Sequence, residues 1–169
     1  MKSDYKKKSE KDNITLETTP GRFYSPLKGK IITLQEIPDD VFSQGILGVG
    51  CGIEPESETV VAPVNGVICM IAETKHAIGI SSDDGMEILI HVGIDTVLMG
   101  GDGFDVKVKE GQRIECGQKL IVFSRNKIKE AGYPTTTAFL ITNSEECLTV
   151  QFKIGKDVMT LEDFGGIVK

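Results

Sequence analysis

From Phe23 onward, short apolar and β-branched runs alternate with turn signals: KGKIITL, ETVVAPVNGVICMIAETKHAIGI, MEILIHVGI, FDVKVKEGQRIECGQKLIVFS, TAFLITN and LTVQFKI. Alternation of this kind, cut by Gly, Pro, Asn and Asp, predicts strands, and many short strands in a row predict an all-β sandwich or barrel. Only two places invite helix. IPDDVF reads as a single turn after Pro38, and SRNKIKEAG offers Ser124 as N-cap with Gly132 near the end.

The two histidines, His76 and His91, fall in one predicted hairpin, ETKHAIGISSDDGMEILIHVGID, with SSDDG as its turn. If Asp83 and Asp84 are central, His76 stands directly opposite His91, with Cβ atoms roughly 4.5 to 5.5 Å apart. If Asp84 and Gly85 are central, the two are diagonal neighbours on one face. A three-residue loop would separate them, because a slip of one residue turns a side chain to the other face. With an even turn, Thr74, His76, Ile78 and Ile80 share a face with Glu87, Leu89, His91, Gly93 and Asp95. Ile88, Ile90 and Val92 then form the core face, which leaves both histidines on the accessible side, ringed by Ile78, Ile80 and Leu89.

Composition narrows the options. A chain of 169 residues with 40% hydrophobic residues suits one domain with a real core. Its 19 glycines and lack of tryptophan favour strands and turns over a helix bundle. A net charge of -6 repels phosphate backbones and gives no support to nucleic-acid binding, while a basic protein would be attracted. No apolar run approaches the roughly 20 residues that cross a bilayer, and no signal peptide opens the chain, which points to a cytoplasmic protein. Cys51, Cys69, Cys116 and Cys147 are too dispersed for zinc knuckles and read as free thiols. Residues 1–22, charged and lysine-rich, read as a flexible N-terminal tail before a domain over residues 23–169.

Three chemistries suit paired imidazoles beside Thr74, Gly93 and Asp95. Zinc catalysis would use His76, His91 and a carboxylate, although no third histidine exists to fill out the set. Phosphoryl transfer would make His91 a nucleophile whose other ring nitrogen is held as a donor, with His76 and Thr74 stabilising the product's charge. No G-x-x-x-x-G-K-[ST] loop is present, so a phosphoprotein is the more natural donor. A swinging-arm carrier would modify Lys75, but the turn that should expose this lysine is not evident in the sequence.

The motifs SPLKGKI, PDDVF, APVNGVI, ETKHAIGI, DDGMEILIHVGIDTV, EGQRIECGQKLI and GYPTTTAFLITN, spanning about Ser25 to Phe152, carry a resemblance. The sequence resembles the glucose-type IIA domain of the bacterial sugar phosphotransferase system. The resemblance implies an antiparallel β-sandwich, barrel-sandwich-like with short helical turns, and a phosphocarrier that uses no cofactor. His91 would be phosphorylated at Nε2 by the phosphocarrier HPr, with His76 supporting the phosphoryl group and Thr74 orienting His76. Gly93 would fix the tautomer of His91 through its carbonyl, and Asp95 would meet basic side chains of the partner. The phosphoryl group would pass to a cysteine of a IIB domain, which leads to sugar entering through a membrane IIC domain; the membrane is reached only through that permease. Val41, Phe42, Ile78 and Leu89 would complete an apolar docking patch. No metal is implied, beyond adventitious zinc at His76 and His91. Lys75, where the family commonly has asparagine, and GILGVGCGIEP over residues 45–55 depart from the pattern and bear on partner preference.

Overall fold

The computed structural model describes residues 5–7, 14–144 and 149–167. Its strands pair only antiparallel among these residues. An eight-stranded sheet runs in the order Arg113–Ile114, Gly66–Ile71, Ala77–Ser82, Glu87–His91, Thr137–Ile141, Val49–Pro55, Gly29–Thr33 and Asp157–Val158. Two three-stranded sheets pack against it. One is ordered Phe104–Val106, Lys119–Phe123, Thr59–Val61, and the other Val150–Phe152, Asp163–Ile167, Arg22–Tyr24. This is the antiparallel β-sandwich with short helical turns that the sequence implied.

Alternation decides which face of the large sheet each side chain takes. Ile78, Ile80, Ile88, Ile90 and Phe139 point inward and meet Phe23, Val60, Ile121, Phe123 and Phe164 of the smaller sheets in one core. The outer face of the large sheet is apolar as well, which explains why every residue of Thr137–Ile141 is buried. There Ala138 and Leu140 pack with Ile32, Leu34, Ile37, Phe42 and Ile94, and half-buried Leu89 joins them. The segment Thr33–Ser43 caps this second cluster. A 3₁₀ turn, Leu34–Glu36, opens it, with the Glu36 carboxylate accepting from Thr33 N at 2.8 Å. The single-turn helix Asp40–Ser43 follows, N-capped by Asp39, whose Oδ1 accepts from Val41 N at 2.9 Å.

The second helix spans Arg125–Glu130, with Ser124 Oγ accepting from Lys127 N at 3.1 Å and Gly132 in the left-handed region beyond its end. Two regions carry strands that the hydrophobic pattern did not single out. In Val49–Pro55, a Cβ on Gly50 would lie 2.1 Å from the Phe139 carbonyl oxygen, and one on Gly52 would lie 2.7 Å from Ile32, so the neighbours' close approach requires the glycines that hide the strand. In the C-terminal tail, Asp163–Ile167 pairs with both Arg22–Tyr24 and Val150–Phe152. Phe164 lies 5.0 Å from Phe23 and 5.0 Å from Phe139, ring centre to ring centre, so the tail is part of the core.

Of the expected tail over residues 1–22, residues 1–4 and 8–13 lie outside the described residues; Tyr5–Lys7 pairs with Ile14–Leu16 as a separate two-stranded ladder, and Thr19 N and Gly21 N donate to Tyr24 Oη and Asp84 Oδ2, so the tail's end is tied to the domain. Cys51, Cys69 and Cys116 are free thiols, whereas Cys147 lies outside the described residues. Among the described residues, no helix is long and apolar enough to cross a membrane.

Candidate functional site: a histidine pair at the end of the large sheet

The hairpin that carries both histidines has a three-residue loop, not an even one. Ile78 pairs with Ile90 and Ala77 with His91, and Ser82 N donates to Met86 O across Asp83, Asp84 and Gly85. Ile78 and Ile80 therefore share the core face with Ile90 and Ile88. Ile78 is 0% exposed and drops out of the expected docking patch. Leu89 stays on the face of His91, where it packs half-buried against the outer cluster.

The histidines still meet, by a different route. His76 precedes the strand Ala77–Ser82, and its carbonyl accepts from Val92 N at 2.8 Å. Pairing opposite Val92 would turn its side chain toward the core. Standing at the sheet's end, the ring instead lies between Phe104, at 6.4 Å, and His91, at 4.6 Å and 83°. It is only 5% exposed, so of the two histidines expected on the accessible side His76 is the buried one. A tight turn delivers it: Lys75 N donates to Ala72 O at 2.8 Å, and Lys75 takes a positive φ of 69°. This turn joins Gly66–Ile71 to Ala77–Ser82 and leaves Lys75 exposed at its tip, where the sequence showed no evident turn.

Both ring nitrogens facing the backbone are held. His91 Nδ1 lies 2.8 Å from the Gly93 carbonyl oxygen. A carbonyl only accepts, so this nitrogen carries the proton and Nε2 keeps a free lone pair. Gly93 adopts φ 79°, and a Cβ there would lie 2.4 Å from Thr96 Cγ2, so only glycine brings its carbonyl to this point. Thr74 Oγ1 is 2.9 Å from His76 Nδ1.

The electrostatics favour neutral rings. Burial, and then the neighbouring His76, push the His91 pKa down to about 4, against smaller opposing effects from the Gly93 carbonyl and Asp39. Burial also lowers that of His76. At neutral pH the pair is therefore uncharged, and His91 presents an unprotonated Nε2.

Phe42 is 6% exposed and sets its ring 4.9 Å from that of His91, tilted by 62°, while its neighbour Val41 is 47% exposed. Asp95 is exposed, in the left-handed region at φ 62°, and its side chain does not cap the 3₁₀ turn Thr96–Met99 that follows. Asp39 was not among the residues picked from the sequence. Its signal was the P-D-D start of a helix, where an N-cap carboxylate is brought beside whatever the capped turn covers. Among the described residues no three His, Cys, Asp or Glu side chains converge as metal ligands, and two imidazoles fall short of the three protein ligands of catalytic zinc.

Comparison with known proteins bears on this geometry. The family "phosphoenolpyruvate-dependent sugar phosphotransferase system, EIIA 1" matches residues 21–147. The chain is 41% identical over 139 residues to the glucose-specific EIIA component of Bacillus cereus, covering 82% of this chain and 84% of that one. It is 47% identical over 123 residues, 73% of its length, to the beta-glucoside-specific EIIBCA component of Bacillus subtilis, of which it spans 20%. Glucose permease IIA from Mycoplasma capricolum superposes with a TM-score of 0.81 at 32% identity, over 88% of this chain and 96% of that one. A histidine pair at the end of the large sheet of an antiparallel sandwich thus coincides with a match over most of the chain, and the protein belongs to the glucose-type EIIA family, the phosphocarrier components of the sugar phosphotransferase system.

Proposed function

We propose that His91 is the phosphoryl-carrying residue, loaded by phospho-HPr and unloaded onto a cysteine of a IIB domain. The observation that carries this reading is the hydrogen bond from His91 Nδ1–H to Gly93 O, at 2.8 Å, on a ring whose pKa is depressed to about 4. It leaves a neutral imidazole with its Nε2 lone pair available for in-line attack on phosphorus. The bond from phosphorus to the donor breaks as the Nε2–P bond forms. The Nδ1 proton stays on the ring, shared with Gly93. In the second transfer a cysteine thiolate attacks phosphorus and the Nε2–P bond breaks, returning His91 to its neutral form.

His76 supports the transferred group. Its Nδ1 pairs with the Thr74 hydroxyl at 2.9 Å on a ring 4.6 Å from that of His91, and in the tautomer that carries its proton on Nε2 it donates to a phosphoryl oxygen. Asp95 and exposed Val41, with Phe42 and Leu89 at their base, form the docking rim. The EIIBCA relative, whose name joins the three components, supports a IIB partner, and the net charge of -6 supports a basic donor. The reaction belongs to the cytoplasm and meets the membrane only through the permease.

The test is radiolabel transfer from phosphoenolpyruvate through enzyme I and HPr. Wild-type protein and His76→Gln take up label, His91→Ala does not, and His76→Gln passes it to a IIB domain poorly. Label retained by His91→Ala would overturn the assignment.

A further inference from the structure

Only three non-glycine residues among those described adopt a positive φ: Lys75 at 69°, Asp95 at 62° and Leu161 at 70°. This conformation costs a side-chain-bearing residue roughly 1–2 kcal/mol, and glycine would occupy it without strain. Leu161 is compensated by burial, since it packs with Tyr24, Val61 and Cys116. Lys75 and Asp95 gain nothing of the kind. Both are exposed, and neither side chain has an ion pair or hydrogen bond among the described residues. They stand on the two turns that carry the histidines, one directly before His76 and the other four residues after His91. Two unpaired charges of opposite sign thus flank the pair, Lys75 in a conformation strained for its side chain and Asp95 in one that aspartate tolerates.

The lysine stem runs along the Gly100–Gly101 turn, with Cδ 3.8 Å from where a Cβ on Gly101 would lie. A face that serves two partners in turn needs a feature that only one of them satisfies. The acidic surface and Asp95 already favour a basic donor; a cation at the rim opposes that partner and rewards an acidic one.

We propose that Lys75 is a specificity-determining residue that pairs with a carboxylate of the phosphoryl acceptor, so that Lys75 and Asp95 together orient that domain by a two-point charge pattern. The inference rests on the phosphocarrier reading above. Its test loads the full chain from HPr and follows transfer to the isolated IIB domain of the beta-glucoside-specific EIIBCA relative. Lys75→Glu lowers kcat/KM for onward transfer about tenfold at low salt, with the difference shrinking as salt rises. Loading of the same variant by HPr speeds up two- to threefold. Lys75→Gly, which relieves the backbone strain, keeps the protein folded and lowers onward transfer about threefold. Changes of both half-reactions in the same direction, or no change in either, overturn the proposal. Failure of the underlying reading shows separately, as absence of label on the wild-type protein.

Discussion

Acidification from near pH 8 to pH 5 should remove about 2 kcal/mol of folding stability through His91 alone. In the unfolded chain this imidazole takes up its proton near pH 6.5. In the folded protein it does so only at about 4, because burial and the adjacent His76 disfavour the charged ring. Between those values the unfolded state holds the proton and the folded state does not. Stability is therefore undiminished above pH 6.5, declines as the pH falls, and has lost about 3 kcal/mol once below the folded value. His76 is shifted in the same direction and adds to the slope. Glu36 and Asp83, both held low by hydrogen bonds, lose their contribution only below the ordinary carboxylate range, outside this window. Urea denaturation of wild type and His91→Gln near pH 8, 6 and 5 isolates the effect, since glutamine does not titrate. The wild type should lose about 2 kcal/mol relative to the variant by pH 5. A difference between the two proteins that stays level across the range would refute the argument that His91 is held neutral by its surroundings.

Two other perturbations probe the frame around the site. Gly93→Ala forces a Cβ to 2.4 Å from Thr96 Cγ2 at a positive φ, which should cost about 2–4 kcal/mol in denaturation and displace the carbonyl. Nitrogen NMR of the His91 ring should then show loss of the fixed Nδ1–H tautomer, and an unchanged tautomer would remove Gly93 from its role. Phe164→Ala empties a position ringed by Phe23, Phe139 and Phe152 and should cost about 3–5 kcal/mol; a loss below about 1 kcal/mol would mean the C-terminal strand is not part of the core.

The inward residues of the hairpin were legible because alternation is a local property: Ile88, Ile90 and Val92 announce a core face without reference to anything distant. The two helical turns were legible for the same reason, through Pro38 and Ser124. Register was not. SSDDG accommodates loops of two or three residues, and one residue more sends Ile78 inward, a choice made by Ser82 N reaching Met86 O across the loop. The meeting of His76 and His91 was anticipated on the wrong ground. Direct cross-strand pairing does not occur, and the left-handed turn at Lys75 brings the rings together at the sheet's end. The strand Val49–Pro55 was hidden because its glycines, which depress strand propensity, are demanded by backbones that approach from other parts of the chain.

Asp39 shows how the cap over the outer face and the His91 ring depend on each other. Its carboxylate accepts from Val41 N and Phe42 N, which seats Phe42 edge-on against His91 and helps to exclude water from that ring. The same carboxylate is one of the few influences that favour a positive charge on His91. Attack on phosphorus requires a neutral imidazole, yet the phosphorylated ring with Nδ1 still protonated carries a positive charge of its own. Different groups meet the two requirements. Burial and His76 hold the ring neutral, as attack would require, and under the proposed function the Gly93 carbonyl and Asp39 would stabilise the cation formed by phosphorylation at Nε2. A site made only of apolar neighbours would meet the first requirement and fail the second, and one rich in carboxylates would protonate His91 before phosphorus arrived. The short capped turn contributes to both environments, Phe42 by covering the ring and Asp39, three residues earlier, by a carboxylate already held by backbone N–H groups.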